Sequence, residues 1–177
     1  ILFAWQAHPR YSLVVAANRD EFHERPSAPA RFWEDQPEIL AGRDLQAGGT
    51  WLGVTRSGRF AAVTNYREPP APEQPLERSR GHLVRDYLAG EETPLDHARI
   101  LASDGLSYRG FNLLLATPDS MAYVSNRGEG ACGVDAGAHG LSNHMLDTDW
   151  PKVHSGRERL ALLLEDERMG ADALFGL

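Results

Sequence analysis

The densest chemistry in the chain stands in one run, Asn18-Arg19-Asp20-Glu21, directly after the apolar stretch Leu13-Val14-Val15-Ala16-Ala17. Polar and charged side chains at the end of a buried strand are where a rigid scaffold presents function. Strand alternation sends Asn18 and Asp20 to one face and Arg19 and Glu21 to the other. A guanidinium with a carboxylate nearby can hold a substrate carboxylate or position an amine. The same four residues also suit an ion-pair network tying the segment 23–50 to the core, and on residue type alone both readings stay open.

Elsewhere the reactive residues are sparse. Cys132 is the single cysteine, which excludes an intrachain disulfide and a cysteine-based zinc site. It lies in Gly130-Ala131-Cys132-Gly133-Val134 with no flanking base, and a small buried or half-buried residue is expected there. The histidines His8, His23, His82, His97, His139, His144 and His154 include no pair at the spacing of a helical zinc motif. Each reads as a surface residue, and no metal site is expected.

The elements that must position the Asn18 run follow from patterning. Ile1 to Gln6 and Ser12 to Ala17 are apolar runs on either side of Ala7-His8-Pro9-Arg10-Tyr11, which predicts a hairpin. The second run lacks alternation and reads as a strand buried on both faces. Residues 23–50 read as irregular surface structure around a short strand at Ile39-Leu40-Ala41. Gly48-Gly49 is expected to make a tight turn before the Trp51 strand. Trp51 to Val54 and Phe60 to Asn65 form a second hairpin, turned at Arg56-Ser57-Gly58. Glu68 to Glu77 holds four prolines and must be an extended loop.

Helices follow. Ser79 to Ala89 puts Leu83, Tyr87 and Leu88 on one face and ends at Gly90. Thr93-Pro94 opens the next as N-cap and first position, with Leu95, Ala98 and Leu101 or Ala102 inward and Gly105 as the stop. Phe111 to Ala116, Met121 to Ser125 and a run near Val134 return to strands. A last helix begins near Asp149, its apolar face made by Leu160, Leu163 and Leu164. Strands, then two helices, then strands, then a helix argue against a doubly wound parallel sheet and for α+β, antiparallel sheets covered by helices.

Composition bounds the rest. A chain of 177 residues with 42% hydrophobic and 24% charged residues suits one globular domain over 1–177. It opens at Ile1 without Met and stops at Leu177 within a helical pattern, so incompleteness at both ends is expected. A balance of 18 basic against 25 acidic residues, net −7, with no Lys/Arg cluster, argues against nucleic acid as a partner. No apolar stretch approaches the roughly 20 residues of a membrane span, and the expected compartment is the cytoplasm.

Ordered blocks through most of the chain resemble the NRDE family, that of transport and Golgi organisation protein 2. They are Asn18-Arg19-Asp20-Glu21-Phe22 with Arg25-Pro26, Phe32-Trp33, Ala41-Gly42-Arg43-Asp44, Gly48 to Val54 and Gly58 to Arg67. Ser79-Arg80-Gly81, Gly110-Phe111-Asn112-Leu113-Leu114, Leu141-Ser142-Asn143 and Trp150-Pro151-Lys152-Val153 continue the pattern. Members typically begin Met-Cys before such an apolar strand, which implies a cysteine just upstream of Ile1. A cysteine using its own amine as base is an N-terminal nucleophile, and the resemblance implies the four-layer αββα fold of those hydrolases.

A more distant resemblance, to choloylglycine hydrolases and penicillin acyltransferase-like proteins, rests on the Arg/Asn/Asp cluster, on Gly58 to Asn65, and on Ser142-Asn143-His144. It implies that Asn143 donates to a scissile carbonyl and that Asn65 supports the oxyanion, with Asn18, Arg19, Asp20 and Glu21 orienting. Asn143 also fits a plain turn after a strand 138–142. Arg25, Thr50, Trp51 and Arg80 are the expected substrate-binding residues; Trp51 suits a core equally, and Arg80 either gates a pocket or pairs with Glu77.

The family's association with haem trafficking makes haem a possible cargo, with histidine a natural axial ligand; no other cofactor is implied. Three functions are expected. One is a carrier of a small acyl, amide-containing or haem-like ligand. The alternative is an amidohydrolase or acyltransferase using the upstream cysteine. A folded interaction module is the third.

Overall fold

The computed structural model describes residues 1–19, 24–69, 78–104 and 107–177. Its strands are β1 Leu2–His8, β2 Tyr11–Ala16, β3 Ser27–Phe32, β4 Ile39–Asp44, β5 Leu52–Thr55, β6 Phe60–Asn65, β7 Phe111–Ala116, β8 Met121–Ser125, β9 Gly130–Gly133 and β10 Gly137–Gly140. Its α-helices are α1 Gly81–Ala89, α2 Pro94–Asp104 and α3 Pro151–Leu164. Two compact units divide them, Ile1–Asp20 with Val134–Leu177, and Glu21–Gly133.

The first unit is a three-stranded antiparallel sheet in the order β10-β1-β2. β1 is its centre, and Phe3, Ala4 and Trp5 are buried in succession. Leu2, Ala4, Val14 and Ala138 pack with Leu160 of α3. Helix and strand approach closely because glycine stands on both: a Cβ on Gly140 would lie 2.8 Å from Val153, and one on Gly156 2.8 Å from Leu2. Pro151 occupies the first turn of α3, where a missing N–H costs nothing. The hairpin carries a register shift between Trp5 and His8, with Gln6 at φ 45°.

Two expectations fail in this hairpin. β2 is an edge strand with only Val14 buried, so its unbroken apolar run does not signal burial on both faces. His8 is buried, against the surface role expected: its Nδ1 accepts the Arg10 N–H, its Nε2 therefore donates to Asp166 O, and its ring stacks on Tyr11.

The second unit is a seven-stranded antiparallel meander, β3 through β9 in chain order. α1 and α2 lie between β6 and β7 in the chain and pack on one face of the sheet. Leu83, Val84, Tyr87, Leu88, Ala98 and Leu101 meet Ala61, Val63, Phe111, Leu113, Leu115 and Val124 there. Each large aliphatic or aromatic side chain so buried contributes roughly 1.5–3 kcal/mol. Every residue of β7 and β8 is buried, as both faces of a continuous apolar run require.

Two polar contacts fix α1. The Tyr87 hydroxyl donates to Ala116 O at 3.1 Å, and burial pushes that phenol up to about 12. The Arg59 guanidinium lies 4.0 Å over the Tyr87 ring and donates to Tyr87 O and Glu92 O. Thr93 caps α2 as expected, its hydroxyl accepting the Asp96 N–H. Gly105 lies outside the described residues.

The segment expected to be irregular holds β3 as well as β4. β3 is almost wholly exposed and contains Pro29, so it lacks the apolar alternation that marks a strand; pairing with β4 makes it one. Cys132 is exposed on the edge strand β9 rather than buried.

The two adjacent glycines before Thr50 serve different ends. Gly48 has φ +74°, the left-handed turn value, with open space where a side chain would go. Gly49 lies against α1, and a Cβ there would stand 2.5 Å from the Gly81 carbonyl carbon. Gly49→Ala is therefore expected to destabilise by about 1–3 kcal/mol through forced backbone movement. Gly48→Ala is expected to cost about 1–2 kcal/mol through strain alone. Denaturant midpoints check both, and wild-type stability for Gly49→Ala would show that the contact does not matter.

Candidate functional site

The register of the three-stranded sheet determines what surrounds the beginning of β1. Leu2 pairs with Ala16 of β2 on one side and with Gly140 of β10 on the other. The ladder extends one residue further, since Ile1 N donates to Leu141 O at 2.9 Å and Leu141 N donates to Ile1 O at 2.8 Å. Beyond these pairs the flanking strands end. Ala17-Asn18-Arg19 leaves on the β2 side and Ser142-Asn143 on the β10 side, both at the end of the sheet where β1 begins.

Asn18, Arg19 and Asn143 are exposed and Ser142 is half-buried. Since β2 stops at Ala16, the alternation expected for the Asn18 run does not operate on Asn18 and Arg19. Asp20 and Glu21, and likewise His23, lie outside the described residues.

The remaining expected site residues belong to the second unit, and Thr50, Trp51, Asn65 and Arg80 gather at one end of its sheet. Thr50, only 3% exposed, donates its N–H to Gly81 O and its hydroxyl to Leu52 O. This joins the start of β5 to the start of α1, where Arg80 stands as N-cap. Trp51 is half-buried and packs against the core below the helices.

Asn65 closes β6 opposite Phe111 and is exposed. Arg80 reaches the same end, donating from a guanidinium nitrogen to Gly110 O at 3.1 Å. Glu77, its expected partner, lies outside the described residues. Arg25 stands apart from these, held by Asp44 at 2.6 Å, where it links the approach to β3 with the end of β4.

Residues that patterning did not single out complete this end of the sheet. Gly110 O also accepts the Tyr66 N–H, and Gly110 N donates to Glu68 Oε2 at 2.8 Å. Glu68 Oε1 accepts from Arg127 at 2.7 Å. Asn126 accepts from Phe111 N and donates to Tyr108 O and Arg109 O. On the opposite face of the sheet from the helices, Tyr123 donates to Asn112 Oδ1 at 2.7 Å and Asn112 donates to Thr64. Asn112, fully buried, is thereby paired at both ends of its amide.

The electrostatics favour anionic carboxylates. Burial raises Glu68, but the Gly110 N–H and the guanidinium of Arg127, with the charge of Arg80, hold it below the usual carboxylate range. At Asp44 burial is likewise outweighed by the bond from Arg25 and by backbone N–H groups. Among the described residues no group of three His, Cys, Asp or Glu side chains gathers to hold a metal.

A depressed folded-state value means that Glu68 contributes stability above its unfolded value, lost as pH falls through the folded one. Glu68→Gln is therefore expected to lower the denaturation midpoint at pH 7, with the gap to wild type closing as pH drops below 4.5. Thermal melts across pH 3–7, roughly the carboxylate range, check this; a gap independent of pH would contradict it.

No helix among the described residues is long and apolar enough to cross a membrane. In fold, the chain resembles the Caenorhabditis elegans N-acylethanolamine-hydrolyzing acid amidase ortholog, with a TM-score of 0.53 at 11% identity over 99% of this chain and 83% of that one. The expected α+β fold of antiparallel sheets and helices, of the N-terminal nucleophile hydrolase type, is thus the fold observed. In sequence, it is 41% identical over 157 residues to the transport and Golgi organization 2 homolog of Mus musculus. To the Bos taurus homolog it is 39% identical over 171 residues, and to the Drosophila melanogaster protein 27% over 184. These matches cover 84%, 92% and 93% of this chain but only 56%, 60% and 64% of the relatives' own lengths. The family model described as transport and Golgi organisation 2 matches residues 1–176, and the chain belongs to that family.

Proposed function

We propose that this chain forms the greater part of an N-terminal nucleophile site that cleaves amide or acyl bonds of small acyl compounds. The observation that carries the reading is the strand register at Ile1, which sets Asn18-Arg19 on one side of the β1 start and Ser142-Asn143 on the other. A fold shared with an N-acylethanolamine-hydrolyzing amidase supports it. So does family membership, since members typically begin Met-Cys ahead of this strand.

In this reading the thiol of that upstream cysteine attacks the substrate carbonyl, its proton passing to the cysteine's own amine. The Asn143 side-chain amide donates to the oxygen that becomes negative in the tetrahedral intermediate. Collapse breaks the C–N bond, and the amine leaves with the proton. Water then attacks the thioester and releases a carboxylic acid, restoring the thiol. Asn18 and Arg19 with Asp20 and Glu21 orient the free amine and the substrate. Within the second unit, Arg80, anchored on Gly110, suits a carboxylate or phosphate.

The test uses the full-length protein with its mature N-terminus on a panel of N-acyl amides and acyl thioesters. Turnover that vanishes when the upstream cysteine is replaced by alanine, and falls about 10²–10³-fold in kcat for Asn143→Ala, is the expected result. No turnover across the panel, or turnover indifferent to the cysteine, would overturn it. A saturable Soret shift on haem titration without any hydrolysis would instead establish the carrier reading, with haem as cargo.

A further inference from the structure

The loop that leaves β10 carries Ser142 and Asn143, and one of its carboxylates closes it back onto the strand it came from. Asp147 N donates to Gly140 O at 2.9 Å, and Gly140 N donates to Asp147 Oδ1 at 2.9 Å. Both outward-facing backbone groups of Gly140, on the free edge of β10, are satisfied by this single residue. Arg157 of α3 continues the closure, its Nε donating to Ala138 O at 3.1 Å and lying 3.4 Å from Asp147 Oδ1.

The second carboxylate oxygen meets the imidazole of His139 on the same strand, Oδ2 to Nδ1 at 2.7 Å. The other ring nitrogen lies 3.0 Å from Asp135 O. A carbonyl only accepts and an ionised carboxylate only accepts, so both ring nitrogens carry hydrogen in this arrangement. The ring is stacked on Phe3, its partner across the ladder to β1, at 5.1 Å. Three elements thus present charge or carbonyl oxygen to this cluster: Asp147 from the loop, Arg157 from α3 and Asp135 O from the approach to β10. β1 presents only apolar side chains.

Asp147 also has φ +54°, a left-handed conformation that glycine adopts freely and other residues uncommonly. Glycine would relieve that strain, yet it would remove the carboxylate on which His139, Gly140 N and Arg157 converge. The conformation is retained where the side chain is engaged three ways.

We propose that Asp147, gripped by His139 and Arg157, is the positioning residue of the β1-start site: its closure of the loop sets where Ser142 and Asn143 stand. The proposal rests on the proposed function for the use made of Asn143, though not for its test. Protonation of His139 couples to the loop through the same contact. The Asp147 bond raises the imidazole above its usual range, against burial, and burial of Asp147 is outweighed by its bonds from His139 and Gly140 N, which lower it. The histidine's contribution is whole at low pH and lost as pH rises through its raised value. The carboxylate's is whole above the ordinary carboxylate range and lost as pH falls through its lowered one. The clasp is closed in the window between.

The experiment is NMR on the full chain uniformly labelled with ¹⁵N, with amide exchange by residue. In wild type, His139 is expected to carry both ring protons at pH 6, and the Asn143 side-chain resonance to shift with the His139 midpoint. In His139→Gln, which keeps a donor toward Asp147, that pH-dependent shift should disappear while β1 and α3 resonances stay. In Asp147→Ala, amides of residues 142–148 should exchange at least about tenfold faster, as local opening becomes easier, with those of β1 unchanged.

An Asn143 signal blind to His139 in wild type, a shift that persists in His139→Gln, or loop exchange unchanged in Asp147→Ala would each overturn the proposal. If Asp147→Ala does not fold, Asp147→Asn decides, because it preserves shape and an acceptor for Gly140 N. There the loop should exchange faster and the His139 midpoint should return to the ordinary range; no change in either overturns the proposal. No substrate is needed. A chain that hydrolyses nothing but shows the coupled titration would sink the amide reading and leave the clasp standing; active enzyme without the coupling would do the reverse.

Discussion

A strand hydrogen-bonded along both edges from its first residue has no freedom to move its beginning, and β1 is such a strand. Its ladder to β2 runs out to Leu2 and its ladder to β10 one residue further, to Ile1, where N–H and C=O both bond Leu141. A slip of one residue would turn Phe3 and Trp5 to the helix face and Leu2 and Ala4 away from α3. Gly140 and Gly156 oppose that slip sterically, since neither site has room for a side chain between strand and helix. The polar segments that follow β2 and β10 inherit their positions from this register. The geometry at the β1 start therefore depends first on backbone pairing and only then on which side chains are present.

The end of the seven-stranded sheet is organised by a different device, the absence of side chains. Gly110 accepts two donors at its carbonyl and gives its N–H to Glu68, and a Cβ there would stand 2.7 Å from that carboxylate. Gly49 and Gly81 bring the β5 approach and the α1 start into backbone contact in the same way. Where chain segments converge this tightly, the bonding is carried by peptide groups, and the arginines and carboxylates around them act mainly to orient peptide dipoles.

Much of this was legible in the sequence where a single physical cause dominated. The β5–β6 hairpin follows from its Gly58 turn, α1 from the spacing of Leu83, Tyr87 and Leu88, and α2 from the Thr93-Pro94 cap. β3 was not legible, because an exposed strand with a proline has neither alternation nor apolar content, and only its partner β4 makes it a strand. Cys132 misleads because thiols are usually buried, whereas an edge strand leaves it open. His8 and His139 look like surface residues until long-range partners are known; Asp166 lies 158 residues from His8, and Phe3 stacks on His139. Asp147 carried no local signal at all. Its role comes from three contacts, two of them to elements that fold around it. The Asn18 run was recognisable as a block, while the geometry around it emerges only from the register.

The first unit is assembled from two stretches far apart in sequence, with Ile1 bonded to a residue 140 positions away. The second consists of strands paired with their chain neighbours, joined by short turns or by a helical pair. Closing a loop grows costly only as about (3/2)RT ln n, yet that cost must be met before any of the long-range contacts reward it. Local hairpins form first and fast, and distant pairings wait on them. The meander is thus the natural early structure, and once formed it shortens the effective loop that β1 and β10 must close. On that ordering the β1 start is expected to become ordered late in folding, after the meander rather than as its seed.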